Sequence, residues 1–430
     1  MHVFLMKLET TSLCLNGWWD YAPAGTPQTE ARVPEKGWFE AQYLVPSLVD
    51  KSLAGVRRKG AVYYEEHLGA DPADFSGGEH EFLFDNHGYP IEWMRKHSGW
   101  ARRQLTVARL APGKRRFLKL DAVAARSEVW INGRQISCHE DAFLPQEIDV
   151  TDELSEGDNE LAVLIRDYER ERGETGPAKT LTPSRNMMTA HMRGIWQDVW
   201  LIERDAVYIA DQTIRTSYRE KTLTVRTELS NRRAEAVEVD LEADVSEWSG
   251  QGSSPEGAPV LQLPALTVLL AAGETVFVEA TVPWASPKLW QPESPHLYWL
   301  RSRIVMEGQA SPQVAERFGF REVWIEGADF LLNGFPVHFF SDWGHKVNQL
   351  HHTEAWNRCW FAMMKAENFN HTRLHTHPHP ELILDMADEA GIMITGETAI
   401  HGSGGEQAAD QECYWAAAEA HIRAYVRRDK

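Results

Sequence analysis

Residues 370–397 read NHTRLHTHPHPELILDMADEAGIMITGE, one strand–helix–strand unit. Asn370–Leu374 has the composition of a strand. Pro380 suits the first position of a helix, where its missing N–H has no intrahelical partner anyway. Gly391 suits the residue just past the end, because glycine takes the left-handed conformation without strain. Ile392–Thr395 is the next strand. Working outward, Thr353–Asn368 places Trp356, Cys359, Trp360, Met363 and Met364 at i, i+3, i+4, i+7 and i+8, a helical stripe that reads as core, and Thr353 can cap its start. Asp410–Arg428 reads as a third helix. Val337–Phe340 reads as the first strand, reached through a hairpin, Phe330–Pro336, whose Asn333-Gly334 pair supplies two positive φ values. From about Arg317 the chain is therefore a (βα)₃ run, the pattern of a parallel α/β sheet.

Upstream the texture is different. From Met1 to about Asp205 short alternating stretches are broken by turns. Ser127–Ile131, Asn132-Gly133 and Arg134–Ser137 form a hairpin, with Val129 and Ile131 on one face and Trp130 on the other. Leu161, Val163 and Ile165 alternate in the same way. In Ile195–Ile202 an aliphatic face opposes one bearing Trp196 and Trp200, and alternating Trp on a strand is more often sheet packing than a sugar platform. About 200 residues of such strands predict a sandwich or jelly roll. From about Ala206 to Glu316 the strands are fewer, with period two in Leu223–Leu229, Val237–Leu241 and Val276–Val282. They predict an immunoglobulin-like sandwich, although its Cys-Trp-Cys hallmark is missing. Three domains follow, 1–205, 206–316 and 317–430, in keeping with 430 residues divided by roughly 150 per domain.

Composition narrows the class. Forty-four basic against 63 acidic side chains give a formal charge of −19, which argues against a nucleic-acid partner. No apolar run approaches the roughly 20 residues of a membrane span. The four cysteines lie far apart and match neither a disulfide framework nor a zinc spacing. No charged segment followed by a long apolar stretch opens the chain, so a reducing, cytoplasmic setting is expected.

The chemistry concentrates in the last part, where ligands of βα folds sit at the C-terminal ends of the strands. Nine of the 18 His lie between His338 and His401. Asp342, Trp343 and His345 follow the first strand, Arg373, His375, His377 and His379 the second, and Glu397 and His401 the third. Converging Arg, His and carboxylate groups can bind a polyhydroxylated ligand and position a proton. Alternatives stand beside this reading. His375, His377 and His379 could ligate zinc or simply hydrogen-bond within the fold. Glu397 could hold Arg373 rather than transfer a proton, and Asp342 could cap the loop after it.

With these pieces in order, the chain resembles glycoside hydrolase family 2, the β-galactosidases, β-glucuronidases and β-mannosidases. The resemblance rests on six motifs in the family's order: Leu15-Asn16-Gly17-Trp18-Trp19; Val129–Gly133 with Phe143–Thr151; Arg193–Leu201 (RGIWQDVWL); Leu289–Tyr298 (LWQPESPHLY); Arg317–Glu322 (RFGFRE); and Leu332-Asn333-Gly334. It implies a β jelly-roll sugar-binding domain, an immunoglobulin-like β-sandwich and a TIM barrel. The implied activity is that of a retaining exo-β-glycosidase hydrolysing O-glycosidic bonds with two glutamates, at the ends of barrel strands four and seven.

The 114 residues from Arg317 to Lys430 hold about three βα units of an eight-unit barrel of roughly 250 residues. The expectation is therefore a partial (β/α)₈ barrel in a fragment, with both catalytic glutamates beyond Lys430. The substrate-binding candidates are Asp342, Trp343, His345, Arg373, His375, Glu397 and His401; of these the resemblance matches His345 to a pocket His after strand one, Arg373 to the family's strand-two Arg and Glu397 to its strand-three Glu. No metal or other cofactor is expected; the partner is a carbohydrate, and a homo-oligomer is compatible. Departures leave the sugar open. Arg373–Pro378 (RLHTHP) displaces a His by one residue from the galactosidase-like pattern, Ser341–Lys346 replaces "GVNRHE", and Glu140-Asp141 replaces a usual Gly-Gly. A non-catalytic carbohydrate-binding protein and a metal-dependent hydrolase using Asp342 and Glu397 are the competing readings.

Overall fold

The computed structural model describes residues 11–49, 89–90, 93, 96, 98–124, 126–166, 193–250, 255–345, 353–375, 377–400 and 412–430. In the first domain two antiparallel sheets face each other. One orders Thr11–Cys14, Val199–Asp205, Lys114–Leu120 and Gln146–Asp149. The other orders Phe39–Val45, Gly17–Ala24, Ser98–Val107, Gly157–Arg166, Arg126–Ile131 and Arg134–His139. Alternation sends Val129, Ile131, Leu161, Val163, Ile165, Val199 and Leu201 into the shared core. Trp130, Ala162 and Leu164 join a cluster on the opposite face. The hairpin turn has φ 50° at Asn132 and 78° at Gly133, both positive as a type I′ turn needs.

The N-terminal motif and RGIWQDVWL close on each other. Asn16, 182 residues from Asp198, donates to that carboxylate at 2.8 Å, and its side-chain oxygen accepts the Val199 N–H at 3.1 Å. A Cβ on Gly194 would lie 2.3 Å from the Ser47 carbonyl oxygen, so only glycine fits. Its neighbour Arg193 is buried and donates to the carbonyls of Trp93 and Lys96. Trp196 is buried with its indole N–H on the Ala142 carbonyl at 2.7 Å, and Trp200 packs on Phe117, Ile202 and Tyr208. Both are packing residues.

The second domain pairs the sheet of Val207–Ser217, Thr222–Asn231 and Thr275–Pro283 with a larger one built on Val237–Glu247 and Leu297–Met306. Alternate residues such as Leu223, Val225, Val245 and Leu300 fill the space between them.

The third region is a parallel sheet of Ser341–His345, His371–His375 and Met393–Gly396, with helices Glu354–Ala366, Glu381–Ala390 and Glu412–Arg428. Thr353 caps the first helix through the Trp356 N–H. Gly391 ends the second in the left-handed conformation, φ 73°. The first parallel strand is thus Ser341–His345, four residues later than the Val337–Phe340 expected. The reason is that Val337 is still committed to the preceding hairpin, its N–H bonding the Phe330 carbonyl at 2.8 Å.

The motifs LWQPESPHLY and RFGFRE join the second domain to the third. Arg317 pairs with Glu389 and donates to the carbonyl and carboxylate of Asp385 at 2.8 and 3.0 Å. Arg321 reaches Asp388 at 2.8 Å, and the Trp290 indole N–H binds the Asp388 carbonyl at 2.8 Å. All three clamp helix Glu381–Ala390. Among the described residues no helix is long and apolar enough to cross a membrane, and Cys14, Cys138 and Cys359 are free thiols.

Candidate functional site

The parallel sheet has two unlike faces. Leu374 and Ile394 pack with Trp360, Phe361 and Ile383, so Thr372 and Leu374 look toward the helices. By alternation His371, Arg373 and His375, with Thr395 and Glu397, take the other face. There the Arg373 guanidinium donates Nε–H to the Glu397 carboxylate, across neighbouring strand ends. Arg373 is about half exposed, its side chain 47% accessible against 22% for Glu397. The pair therefore stands at the C-terminal edge of the sheet and fronts solvent. A fixed guanidinium fork beside a carboxylate suits a ligand rich in hydroxyls, or one bearing a carboxylate.

Below the pair, His371 ties three strands together. Its Nδ1 meets the Ser341 hydroxyl and its Nε2 the Thr395 hydroxyl, the latter at 2.7 Å. Burial lowers its pKa from the ordinary histidine value, so the neutral ring is favoured, with one nitrogen donating and the other accepting. Period two alone places His371 on the face of Arg373, which is the signal that could have found it.

The other candidates divide. His375 ends its strand, half-buried, on the Arg373 face. Asp342 lies inside the first strand and not past it. Its carboxylate accepts the Trp360 indole N–H at 3.0 Å, toward the helix layer. Its pairing opposite Thr372 puts Asp342 on the helix side of the sheet, where it anchors the first helix and does not stand beside Arg373 and Glu397. The side chains of Trp343 and His345, and the whole of His401, lie outside the described residues.

His377 and His379 turn toward the first domain. The His377 ring stacks on Phe143 with centroids 4.6 Å apart and planes 10° apart, and on His379 at 4.4 Å and 20°. Both are buried. Among the described residues no group of three or more His, Cys, Asp or Glu is arranged to hold a metal. Phe143 belongs to a loop of the first domain that docks here. Arg428 ties its carbonyl (3.2 Å) to that of His379 (2.6 Å).

Three family models match the chain in order. Residues 78–200 match the glycosyl hydrolase 2 galactose-binding domain-like model, 207–321 the glycosyl hydrolases family 2 model, and 320–428 that family's TIM barrel domain. Among solved structures the chain is similar to Bacteroides uniformis β-glucuronidase 2, with 20% identity and a TM-score of 0.73 over 98% of this chain and 45% of that one. It is similar to a β-galacturonidase from Eisenbergiella tayi, with 18% identity and a TM-score of 0.72 over 99% of this chain and 64% of that one. A putative β-galactosidase from Bacteroides fragilis gives 18% identity and 0.72, over 98% and 57%. The chain thus spans between 45% and 64% of the length of these three structures.

Proposed function

Because this chain belongs to glycoside hydrolase family 2, we propose that it is the leading portion of a retaining exo-β-glycosidase, contributing the sugar-binding part of the active site. The observation that carries the reading is the Arg373–Glu397 pair on the open face of the sheet, at the C-terminal strand ends where βα barrels bind ligands. His375 shares that face; we assign Trp343, His345 and His401 to the same pocket from their places at the ends of the first and third strands, and His345 also from the family resemblance. Arg373 binds sugar hydroxyls or a uronate carboxylate, and Glu397 holds the guanidinium in place while accepting from a hydroxyl.

The bond-breaking step needs two further carboxyl groups roughly 5–5.5 Å apart. One protonates the leaving oxygen while the other attacks the anomeric carbon; water then releases the sugar with retention. We assign these to glutamates outside the 430 residues, on strands that complete the barrel beside Met393–Gly396. Reading the coding DNA past the codon for Lys430 tests this. A frame encoding Asn-His-Pro followed by an Asn-Glu pair is expected, and its absence ends the enzyme reading. The complete protein is then assayed on p-nitrophenyl β-D-galactoside, glucuronide, galacturonide and mannoside. One of these is expected to be turned over, and turnover is expected to fall about 100-fold in Arg373→Ala.

A further inference from the structure

The loop after the third parallel strand carries Glu397 and, two residues on, Ala399, which is fully buried. Ala399 is held from two sides. Its side chain packs in an apolar cluster otherwise built by the first domain, including Ala142, Phe143 and Trp196. Its N–H donates to Nε2 of His421, on the last helix, at 3.3 Å. Because that nitrogen accepts, the proton of the neutral ring sits on Nδ1, 2.5 Å from the Asp141 carboxylate, to which it donates. Asp141 lies on the first-domain loop, 280 residues from His421. Its second carboxylate oxygen accepts the amides of Phe143 and Leu144 at 2.8 and 3.1 Å. Burial would raise this carboxyl, but the His421 hydrogen bond and the Phe143 amide hold it below the usual carboxylate value, so it is an ionised acceptor.

We propose that Asp141 and His421 are positioning residues for the sugar site: the first domain sets where Glu397 stands by fixing the Ala399 amide through His421. Only Thr398 separates that amide from Glu397, so play in it passes directly to the carboxylate gripping Arg373. Misplacement of a binding group by about 1 Å can lower turnover on the order of 100-fold. The hydrogen bonds of Asp141 and His421 run to each other and to the amides of Phe143, Leu144 and Ala399, and not to the Arg373–Glu397 pair. The proposal rests on reading that pair as part of the sugar site.

The test uses the complete protein and the p-nitrophenyl β-glycoside that it turns over best. His421→Leu is expected to speed hydrogen exchange at the Ala399 and Glu397 amides at least about 10-fold, with kcat/KM falling by a similar factor, mainly through KM. His421→Gln keeps a donor and an acceptor on one side chain and is expected to restore most of both. Asp141→Asn, which preserves the shape, should move exchange in the same direction as His421→Leu. Unchanged exchange at Ala399 in His421→Leu or in Asp141→Asn overturns the proposal. So does faster exchange with unaltered kcat/KM, or a His421→Gln protein as impaired as His421→Leu. If the parent protein turns over none of the four glycosides, the sugar-site reading has failed, and exchange at Glu397 alone decides whether the relay fixes that residue.

Discussion

Replacing Arg317 by methionine should loosen the second domain from helix Glu381–Ala390, because it removes the guanidinium, whose carbon lies 5.2 Å from the centre of the Trp248 ring, and leaves an unbranched apolar chain. The Arg317 side chain is 6% accessible and its partner Glu389 14%, so the pair is largely out of water. Leaving a buried charge without any partner costs about 3–5 kcal/mol. Glu389 would not be left so, since Arg358 also binds it at 3.1 Å. What remains is the loss of the charge-assisted bonds to Glu389 and to the Asp385 carboxylate, while the Asp385 carbonyl, bonded at 2.8 Å, keeps its place in the helix ladder. A hydrogen bond to a charged group contributes about 1.5–3 kcal/mol, less for Asp385, whose side chain is 47% accessible, which puts Arg317→Met near 2–3 kcal/mol. Unfolding of three linked domains is not a single two-state event, so the assay is hydrogen exchange of the Glu381–Ala390 amides, read for Arg317→Met, Glu389→Gln and the double variant. A coupling energy of about 1–2 kcal/mol is expected. Arg317→Lys, which keeps charge but not the planar fork, should lose roughly half as much. A coupling within about 0.5 kcal/mol of zero, with helix exchange unmoved, would refute the reasoning.

Gly194→Ala forces a methyl to 2.3 Å from the Ser47 carbonyl and should destabilise the first domain by upwards of about 2 kcal/mol in thermal unfolding; an unchanged midpoint would show that the loop yields freely. Burial lowers the His371 pKa, so the unfolded chain binds this proton more readily than the folded one. Its contribution is complete above about pH 6.5 and is lost as pH falls below that value. His371→Asn should therefore flatten the pH dependence of sheet stability between pH 7 and 5, and a slope identical to the parent's would contradict it. Glu397→Gln should cost less than about 1 kcal/mol of stability, since its partner Arg373 is half exposed, yet weaken KM on the chosen glycoside about 10-fold. A large stability loss with unchanged KM would make the pair structural.

The local features were legible in the chain because short-range physics decides them. Asn132-Gly133 and Asn333-Gly334 make positive-φ turns, Gly391 takes the left-handed position past its helix, and period-two stretches such as Leu161–Ile165 send alternate residues to opposite faces of the sheet. The six ordered motifs resemble one family, and the family models agree. The pairing of Glu397 with Arg373 was one of two readings open at that level, and the geometry forms that pair. Side-chain destinations were not legible, because register with the neighbouring strand decides which face each residue takes. Asp342 belongs to the helix side because it pairs with Thr372.

Contacts between domains were hidden more deeply. His377 and His379 read equally as ligands or pocket groups until Phe143 is stacked on them. The stretch RFGFRE gave no hint that Arg317 grips a helix beginning 64 residues later. Asp141 and His421 are an unremarkable loop acid and a helix histidine, 280 residues apart, until docking brings them to 2.5 Å. Hydrophobic period and turn chemistry are properties of a few consecutive residues, so the sequence by itself determined the elements and their class. Which charges meet is a property of how finished domains pack, and only the tertiary structure decided that.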